Sequence, residues 1–390
     1  MIERLLQNAH AKDAARVACP DREVDEVLAR VAWNVLAEPG DGVAGALIAE
    51  LGPVEALRVA TEDGALLVSP RTPPRVLREA MERWRPRASP QAVLDALDSA
   101  AGVRARLVLP GGPLWPAAVD DLGPHAPTLL WVRGDAGLLS ADPRVAIVGA
   151  RASSGYGDLL AAEFAGDLAA SGGIVISGGA YGIDGAAHRA ALGVGGATVA
   201  LLAGGVDRAY PQGHQSLLRE IAEKGAVVSE VPCGTAPTKW RFLSRNRLIA
   251  ALGHATVVVE AGWRSGSINT AGHAAALGRP LGAVPGPVTS ATSAGCHRLL
   301  REYDARCVTT TAEIRELWEA TLVTPQGGGA DPDRIRLCDA LSTRTAVPAQ
   351  ELARRSGLSV TTVEALLGLL ELEGVVTRSG TGWRGIAGAA

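Results

Sequence analysis

Lysine is nearly missing from these 390 residues: Lys12, Lys224 and Lys239 stand against 35 arginines. None of the three closes a G-x-x-x-x-G-K-[ST] string, which excludes a Walker A nucleotide site and most P-loop ATPases with it. Cysteine is also sparse. The five present, Cys19, Cys233, Cys296, Cys307 and Cys338, are odd in number and form no C-x-x-C pair, so neither a disulfide framework nor a cysteine zinc site is expected. No apolar run approaches the roughly 18 residues of a membrane span. Charges begin at Glu3 with no apolar secretory segment, and a soluble, cytoplasmic chain without membrane contact is the expectation. Charged residues make up only 20% and hydrophobic ones 47%, which suits neither disorder nor a coiled coil. The 47 glycines and 23 prolines suit a loop-rich α/β protein, long enough for two or three domains. A net charge of −3, taken whole, reads against nucleic acid as a partner.

Residues 1–105 are expected to form a small helical domain. Val24, Val27, Leu28, Val31 and Leu36 keep a helical period until 38–41 (EPGD) breaks it, and further helices are predicted near 43–50, 53–60, 73–84 and 90–100. The proline-rich stretch 106–132, with Trp115 and Trp131, reads as extended strands and turns entering the next domain. From Arg144 the pattern changes. Val145–Val148 is a short apolar run ending at Gly149, followed by a Gly/Ser turn and a helical segment Leu159–Ala170. The unit recurs, with strands predicted at 174–177, 198–203, 226–230, 256–260, 281–284 and 307–310. Helices are predicted between them, near 185–192, 214–223, 245–252, 268–277, 295–303 and 311–319. This alternation means βαβ units and a doubly wound α/β domain over 106–322, its parallel sheet covered on both faces. Residues 323–332 are a linker by composition. Over 333–390, helices at 334–342, 347–355 and 359–373 followed by a hairpin at 375–386 form the winged-helix pattern.

Three predicted strand ends are glycine-rich: Val148–Gly157 (VGARASSGYG), Ser177–Gly185 (SGGAYGIDG) and Gly262–Thr270 (GWRSGSINT). None matches G-x-G-x-x-G, so a dinucleotide-dependent oxidoreductase loses its main support. Three such ends in one sheet nevertheless predict an anion-binding crevice, because ligands of doubly wound sheets bind beyond the strands' carboxyl ends. Asp184, before an apolar helix, reads as an N-cap ahead of a catalytic acid. Ser265 and Ser267 either accept phosphate oxygens or cap the helix that starts there. Arg151 follows a buried strand by two residues, where a planar guanidinium suits phosphate or guanine contacts and base stacking.

Charge divided by region sharpens this. Residues 1–144 carry −4, residues 145–320 carry +1, and the window 239–279 carries +5, from Lys239, Arg241, Arg245, Arg247, Arg264 and Arg279 against Glu260. A solvated face is the plainer account of a charge run. Here the cations flank Trp240, Phe242 and Trp263, and basic groups interleaved with aromatics are what an unpaired strand needs. Catalytic patterns are thin: G-x-S-x-G and H-E-x-x-H are absent, and Cys296 beside His297 reads as a partly buried cysteine. No catalytic residue, cofactor or metal is expected. The predicted third helix of the winged region, Thr361–Glu373, carries Glu364, Glu371 and Glu373 without a basic group, which suits a protein contact better than duplex DNA.

Six motifs in order along one domain resemble the DNA-processing protein A family, also called DprA or Smf. They are Val148–Gly157, Ser177–His188, Gly205–Pro211, Arg245–Ala250, Val258–Ala271 and Gly278–Gly286, covering about 110–320 in register. The resemblance implies an extended Rossmann-like fold with a SAM-like helical front and a winged-helix tail. It implies a non-enzymatic single-stranded DNA-binding protein that protects the strand and loads the RecA recombinase onto it, in DNA processing, recombination or natural transformation, as a homodimer through the Rossmann domain. By position, Arg151 would contact DNA in the crevice. Ser177, Gly178, Gly182, Lys239, Phe242, Arg245, Asn246, Arg247, Ser265, Gly266 and Ser267 would line or shape it. The sequence departs from the family pattern at His214, His297 and Tyr303-Asp304. Two rivals remain at this point. One is an enzyme acting on nucleoside monophosphates, although its P-G-G-x-G-T-x-x-E string is absent; the other is a transcription regulator using the winged helix.

Overall fold

The computed structural model describes residues 1–62, 72–319 and 332–386. The chain divides into two compact units, Met1–Leu322 and Val323–Ala390. Helices α1 (Ile2–Gln7), α2 (Ala9–Ala18), α3 (Val24–Leu36), α4 (Gly42–Leu51), α5 (Pro53–Thr61), α6 (Pro74–Trp84) and α7 (Pro90–Gly102) open the first. The sequence period begins only at α3. The preceding α1 is short, and α2 buries only alanines, Ala11, Ala15 and Ala18, with none of the large apolar side chains that mark the period of α3.

The sheet strands are β1 (Arg106–Val108), β2 (Leu130–Gly134), β3 (Arg144–Val148), β4 (Ile174–Ser177), β5 (Thr198–Leu202), β6 (Ala226–Ser229), β7 (Ala255–Val258), β8 (Leu281–Ala283) and β9 (Arg306–Cys307). Their order is β1-β2-β6-β5-β4-β3-β7-β8-β9, and every pairing from β6 to β9 is parallel. The central strands are buried along their whole length, as strands covered by helices on both faces must be. The doubly wound path starts at β3, steps outward through β4, β5 and β6, then returns to β7 on the other side of β3. The switch point therefore lies between β3 and β7, where Val148 is opposite Val258, and the crevice beyond their carboxyl ends is where such folds bind ligands. The expected parallel sheet becomes mixed at one edge, because β2 pairs antiparallel with β6 and β1 antiparallel with β2. These two strands come from the proline-rich stretch. A 3₁₀ segment, Ala117–His125, connects them instead of a crossover helix, which suits antiparallel return.

Helices α8 (Gly155–Ala170), α9 (Ile183–Gly193), α10 (Gln215–Lys224), α11 (Lys239–Leu252), α12 (Gly266–Ala276), α13 (Ala294–Glu302) and α14 (Thr311–Glu319) complete the unit. Alternation along β3 sends Val145 and Ile147 to one face, against Phe164, Leu168, Ala187 and Ile314, and Ala146 and Val148 to the other, against Leu248, Ile249, Leu252 and Ala271. A third cluster joins the front helices to the sheet edge: Trp33, Leu36, Leu57 and Leu97 are buried together with Leu107, Trp131, Leu202, Ile221 and Val227. Asn34 pins that junction. Its side-chain amide donates to the Glu230 carbonyl at 2.6 Å, and its Oδ1 accepts from the Trp131 indole at 2.7 Å.

The second unit contains α15 (Pro332–Ala340), α16 (Ala349–Ser356), α17 (Val360–Leu372), β10 (Val376–Ser379) and β11 (Gly382–Gly385). Leu337, Leu352, Val363, Leu367, Leu370 and Val376 form its core, and Val347 adds a bridge to Trp383: a winged helix. Residues 323–331 of the expected linker lie outside the described residues. Among the described residues, no helix is long and apolar enough to cross a membrane.

Candidate functional site

A cavity of about 530 Å³ opens at the switch point, lined by the loops after β3, β4 and β7 and by one face of α11. The loop after β3 is held by Ala150, whose N–H donates to the Glu260 carbonyl at 2.7 Å. This leaves Arg151 exposed at the lip. Its guanidinium lies over the Phe242 ring, 4.9 Å from the centroid, and Tyr210 packs on the same ring at 5.5 Å and 53°. A cation over one ring and a second ring tilted against it thus gather at the mouth.

Beneath it, Arg245 is only 6% exposed. Its Nη1 donates to the Gly178 carbonyl at 2.8 Å and also to the Leu201 carbonyl, while Nε donates to the Asn246 side chain at 3.3 Å. Burial pulls the Arg245 guanidinium down to about 10, with Asp184 acting in the opposite direction. Burial likewise raises the Asp184 carboxyl, opposed by Arg245. Asp184 does not cap α9; Gly182 occupies that position, with φ 74°. The Asp184 carboxylate instead accepts from the backbone N–H groups of Gly178 and Ala180, at 3.1 and 3.3 Å. Gly178 is therefore gripped through its N–H by Asp184 and through its carbonyl by Arg245. A Cβ there would lie 2.5 Å from Arg245 Nη2, so the floor of the cavity requires glycine.

The far wall is the start of α12. Ser265 caps it, accepting from the Ser267 N–H at 3.4 Å, and the two hydroxyls are 2.7 Å apart. Asn246 ties this end to α11, donating to the Gly266 carbonyl at 3.4 Å and to Asn269 at 3.2 Å. The helix N-terminus adds partial positive charge to a lining that already holds Arg151, Arg245 and Arg264 against Asp184.

The expected site residues thus fall into three groups. Arg151, Phe242, Arg245, Asn246, Ser265, Gly266 and Ser267 line the cavity together. Ser177, Gly178 and Gly182 shape it from behind: the fully buried Ser177 hydroxyl donates to the Ile147 carbonyl at 2.6 Å, tying β4 to β3. Two residues are elsewhere. Lys239 is exposed on the first turn of α11, outside the lining, with Nζ 5.4 Å from the Trp240 ring centroid. Arg247 is buried and committed to an ion pair with Glu230 at 2.6 and 2.7 Å, and it also donates to the His125 carbonyl at 3.0 and 2.8 Å. It lies outside the cavity lining, and its hydrogen bonds join α11 to the residue after β6 and to the segment before β2. Tyr210 was not singled out as a stacking group, although the motif Gly205–Pro211 contains it.

Two buried groups near the sheet are each held in one protonation state. Cys296 donates to the Val258 carbonyl at 3.6 Å, and burial pushes its thiol up to about 12, which leaves no thiolate near neutrality. Burial pulls His188 down to about 3, so it stays neutral. Among the described residues, no group of three or more His, Cys, Asp or Glu side chains could hold a metal ion.

Comparison with known proteins gives a consistent set of relatives. The family model for DNA recombination-mediator protein A matches residues 106–319, and a DprA winged helix domain model matches 323–382. A relative from Mycobacterium tuberculosis H37Rv bearing the DprA name is 41% identical over 391 aligned positions, covering 92% of this chain and 97% of its own length. The X-ray structure of DNA processing protein A from Streptococcus pneumoniae superposes with a TM-score of 0.60 at 29% identity, over 74% of this chain and 96% of that one. The Helicobacter pylori DNA processing protein A, described for its single-stranded DNA binding mode, superposes with a TM-score of 0.50 at 30% identity, over 56% of this chain and 96% of that one.

Proposed function

The chain belongs to the DNA recombination-mediator protein A family, and on that premise we propose that it binds single-stranded DNA in the Arg151 crevice and loads RecA recombinase onto the strand. The observation that carries the reading is Arg151 over the Phe242 ring, with Tyr210 packed against that ring, beside the start of α12. A single strand presents phosphates and unpaired bases together, and this mouth offers cations and ring faces together. In this reading Arg151 pairs with a phosphate or stacks on a base, and Phe242 and Tyr210 receive bases. Ser265, Gly266 and Ser267 bind a phosphate at the helix start, and Arg264 adds charge to the same wall. Arg245 and Asn246 keep the floor and far wall in register. Lys239, with the 71% exposed Trp240, extends the track beyond the lip. A duplex fits this site poorly, since its bases are already stacked and paired.

The protein acts without catalysis or cofactor in this reading, as a cytoplasmic homodimer through its sheet-bearing domain, in recombination or natural transformation. The winged unit serves a protein contact. Its third helix turns Val363, Leu367 and Leu370 inward and exposes Glu364, Leu369, Glu371 and Leu372, a surface of the wrong sign for phosphates.

Fluorescence anisotropy with one labelled oligonucleotide, single-stranded or annealed to its complement, tests the binding step at two salt concentrations. The single strand is expected to bind more tightly, and its log affinity to fall with log salt by roughly 0.7 per phosphate contacted. Equal or tighter duplex binding overturns the reading. The same strand supplied to RecA with and without this protein tests loading, through the rate of filament assembly; an unchanged rate removes the RecA half of the proposal.

A further inference from the structure

The first helix of a dinucleotide-binding sheet opens on pyrophosphate, drawn there by free N–H groups and the positive end of the helix dipole. The corresponding helix here is α8, which follows β3 at the switch point, and the anion at its start is supplied by the chain itself. Glu260, two residues beyond β7 and only 3% exposed, turns its carboxylate onto that helix end. Oε2 accepts from the Ser154 backbone N–H at 2.8 Å, and Oε1 accepts from the Ser154 hydroxyl at 2.8 Å. Gly157, in the first turn, makes the approach possible: a Cβ there would collide with Oε2. The Glu260 carbonyl meanwhile takes the Ala150 N–H at 2.7 Å, so one residue fixes both the loop after β3 and the start of α8.

We propose that Glu260 is a selectivity residue, an internal carboxylate that fills the nucleotide-phosphate position at the start of α8 and excludes free phosphate, mononucleotides and dinucleotides from it. A second anion there would meet a buried carboxylate at contact distance, where repulsion is poorly screened. Exogenous phosphate is left with the α12 end of the cavity, across from the Arg151 stack. The absence of G-x-G-x-x-G then has a structural counterpart: the loop holds an internal anion and needs no glycine pattern shaped for an external one. The inference concerns α8 alone and stands whether or not DNA occupies the crevice.

The test uses the full chain and inorganic phosphate, read as the thermal midpoint in phosphate against chloride at equal ionic strength. The wild-type difference between the two salts, which carries phosphate at the α12 end and the general stabilising effect of phosphate, is the baseline from which each variant's gain is counted. Glu260→Ala is expected to melt lower in chloride and to gain roughly 2 °C or more in phosphate at concentrations well above its dissociation constant. Glu260→Gln keeps the volume without the charge; it is expected to melt below wild type and gain nothing from phosphate, because its amide still fills the position. A phosphate gain in Glu260→Ala no larger than that of wild type, or a gain in Glu260→Gln as large as in Glu260→Ala, overturns the proposal. If Glu260→Ala fails to fold in chloride, recovery in phosphate supports the proposal and failure in both salts overturns it.

Discussion

Arg151→Ala is expected to weaken single-stranded DNA binding by roughly five- to 150-fold, the range of one lost base-stacking contact of about 1–3 kcal/mol. The melting temperature should hardly move. Arg151 is exposed, and its recorded side-chain contact is the face of Phe242, so truncation leaves no buried group without a partner and opens no cavity. Arg151→Lys keeps the charge but loses the flat guanidinium, and its affinity should fall between wild type and alanine. Anisotropy titrations of the three proteins, paired with thermal melts, separate the two properties. Wild-type affinity in Arg151→Ala would sink the assignment of the crevice, whatever the affinity of the protein as a whole.

Arg247→Ala should do the reverse. Its guanidinium is enclosed with the Glu230 carboxylate, both groups under 10% exposed, and removing one partner strands a buried charge. That loss costs about 3–5 kcal/mol, whereas replacing both partners by apolar groups of similar size is often close to neutral. Arg247→Ala is thus expected to lower the denaturation midpoint sharply, and a paired replacement such as Arg247→Met with Glu230→Leu to recover much of it. Any decline in DNA affinity should follow the unfolded fraction. If Arg247→Ala melts like wild type and loses DNA binding, the residue belongs to the interface after all.

The contrast between these two arginines shows where sequence reading stops. Arg245 and Arg247 are two apart on α11, about 200° around a helix, so a motif containing both cannot send both to one surface. Period alone does not say which faces the crevice; packing against Glu230 and His125 decides it. The central strands were legible because each is a short apolar run, and β3 and β4 run straight into Gly149 and Gly178, glycine-rich ends that mark the crevice. The start of α11 was not, since residues 239–242 (KWRF) have no apolar period, and Thr238 caps the helix there by accepting from the Arg241 N–H at 3.3 Å. Asp184 was read as a cap because spacing shows only that a carboxylate precedes a helix. Its actual partners are the peptide groups of the preceding loop, which the sequence cannot align. Tyr210 reaches Phe242 from the loop after β5, a meeting that depends on strand order.

The cluster shared by the front helices and the sheet edge bears on cooperativity. Trp131, Leu202 and Val227 lie beneath Trp33 and Leu57 in one continuous apolar body, with Asn34 hydrogen-bonded across the join. Parting the front helices from the sheet would open that body to water, so a local fluctuation confined to α3 is disfavoured. Hydrogen-exchange protection of α3 is then set by the same opening event that exposes β2 and β6. The front helices and the β2–β6 edge are expected to open together, and a disturbance at the Asn34 join reaches the Arg247–Glu230 pair through Glu230 itself.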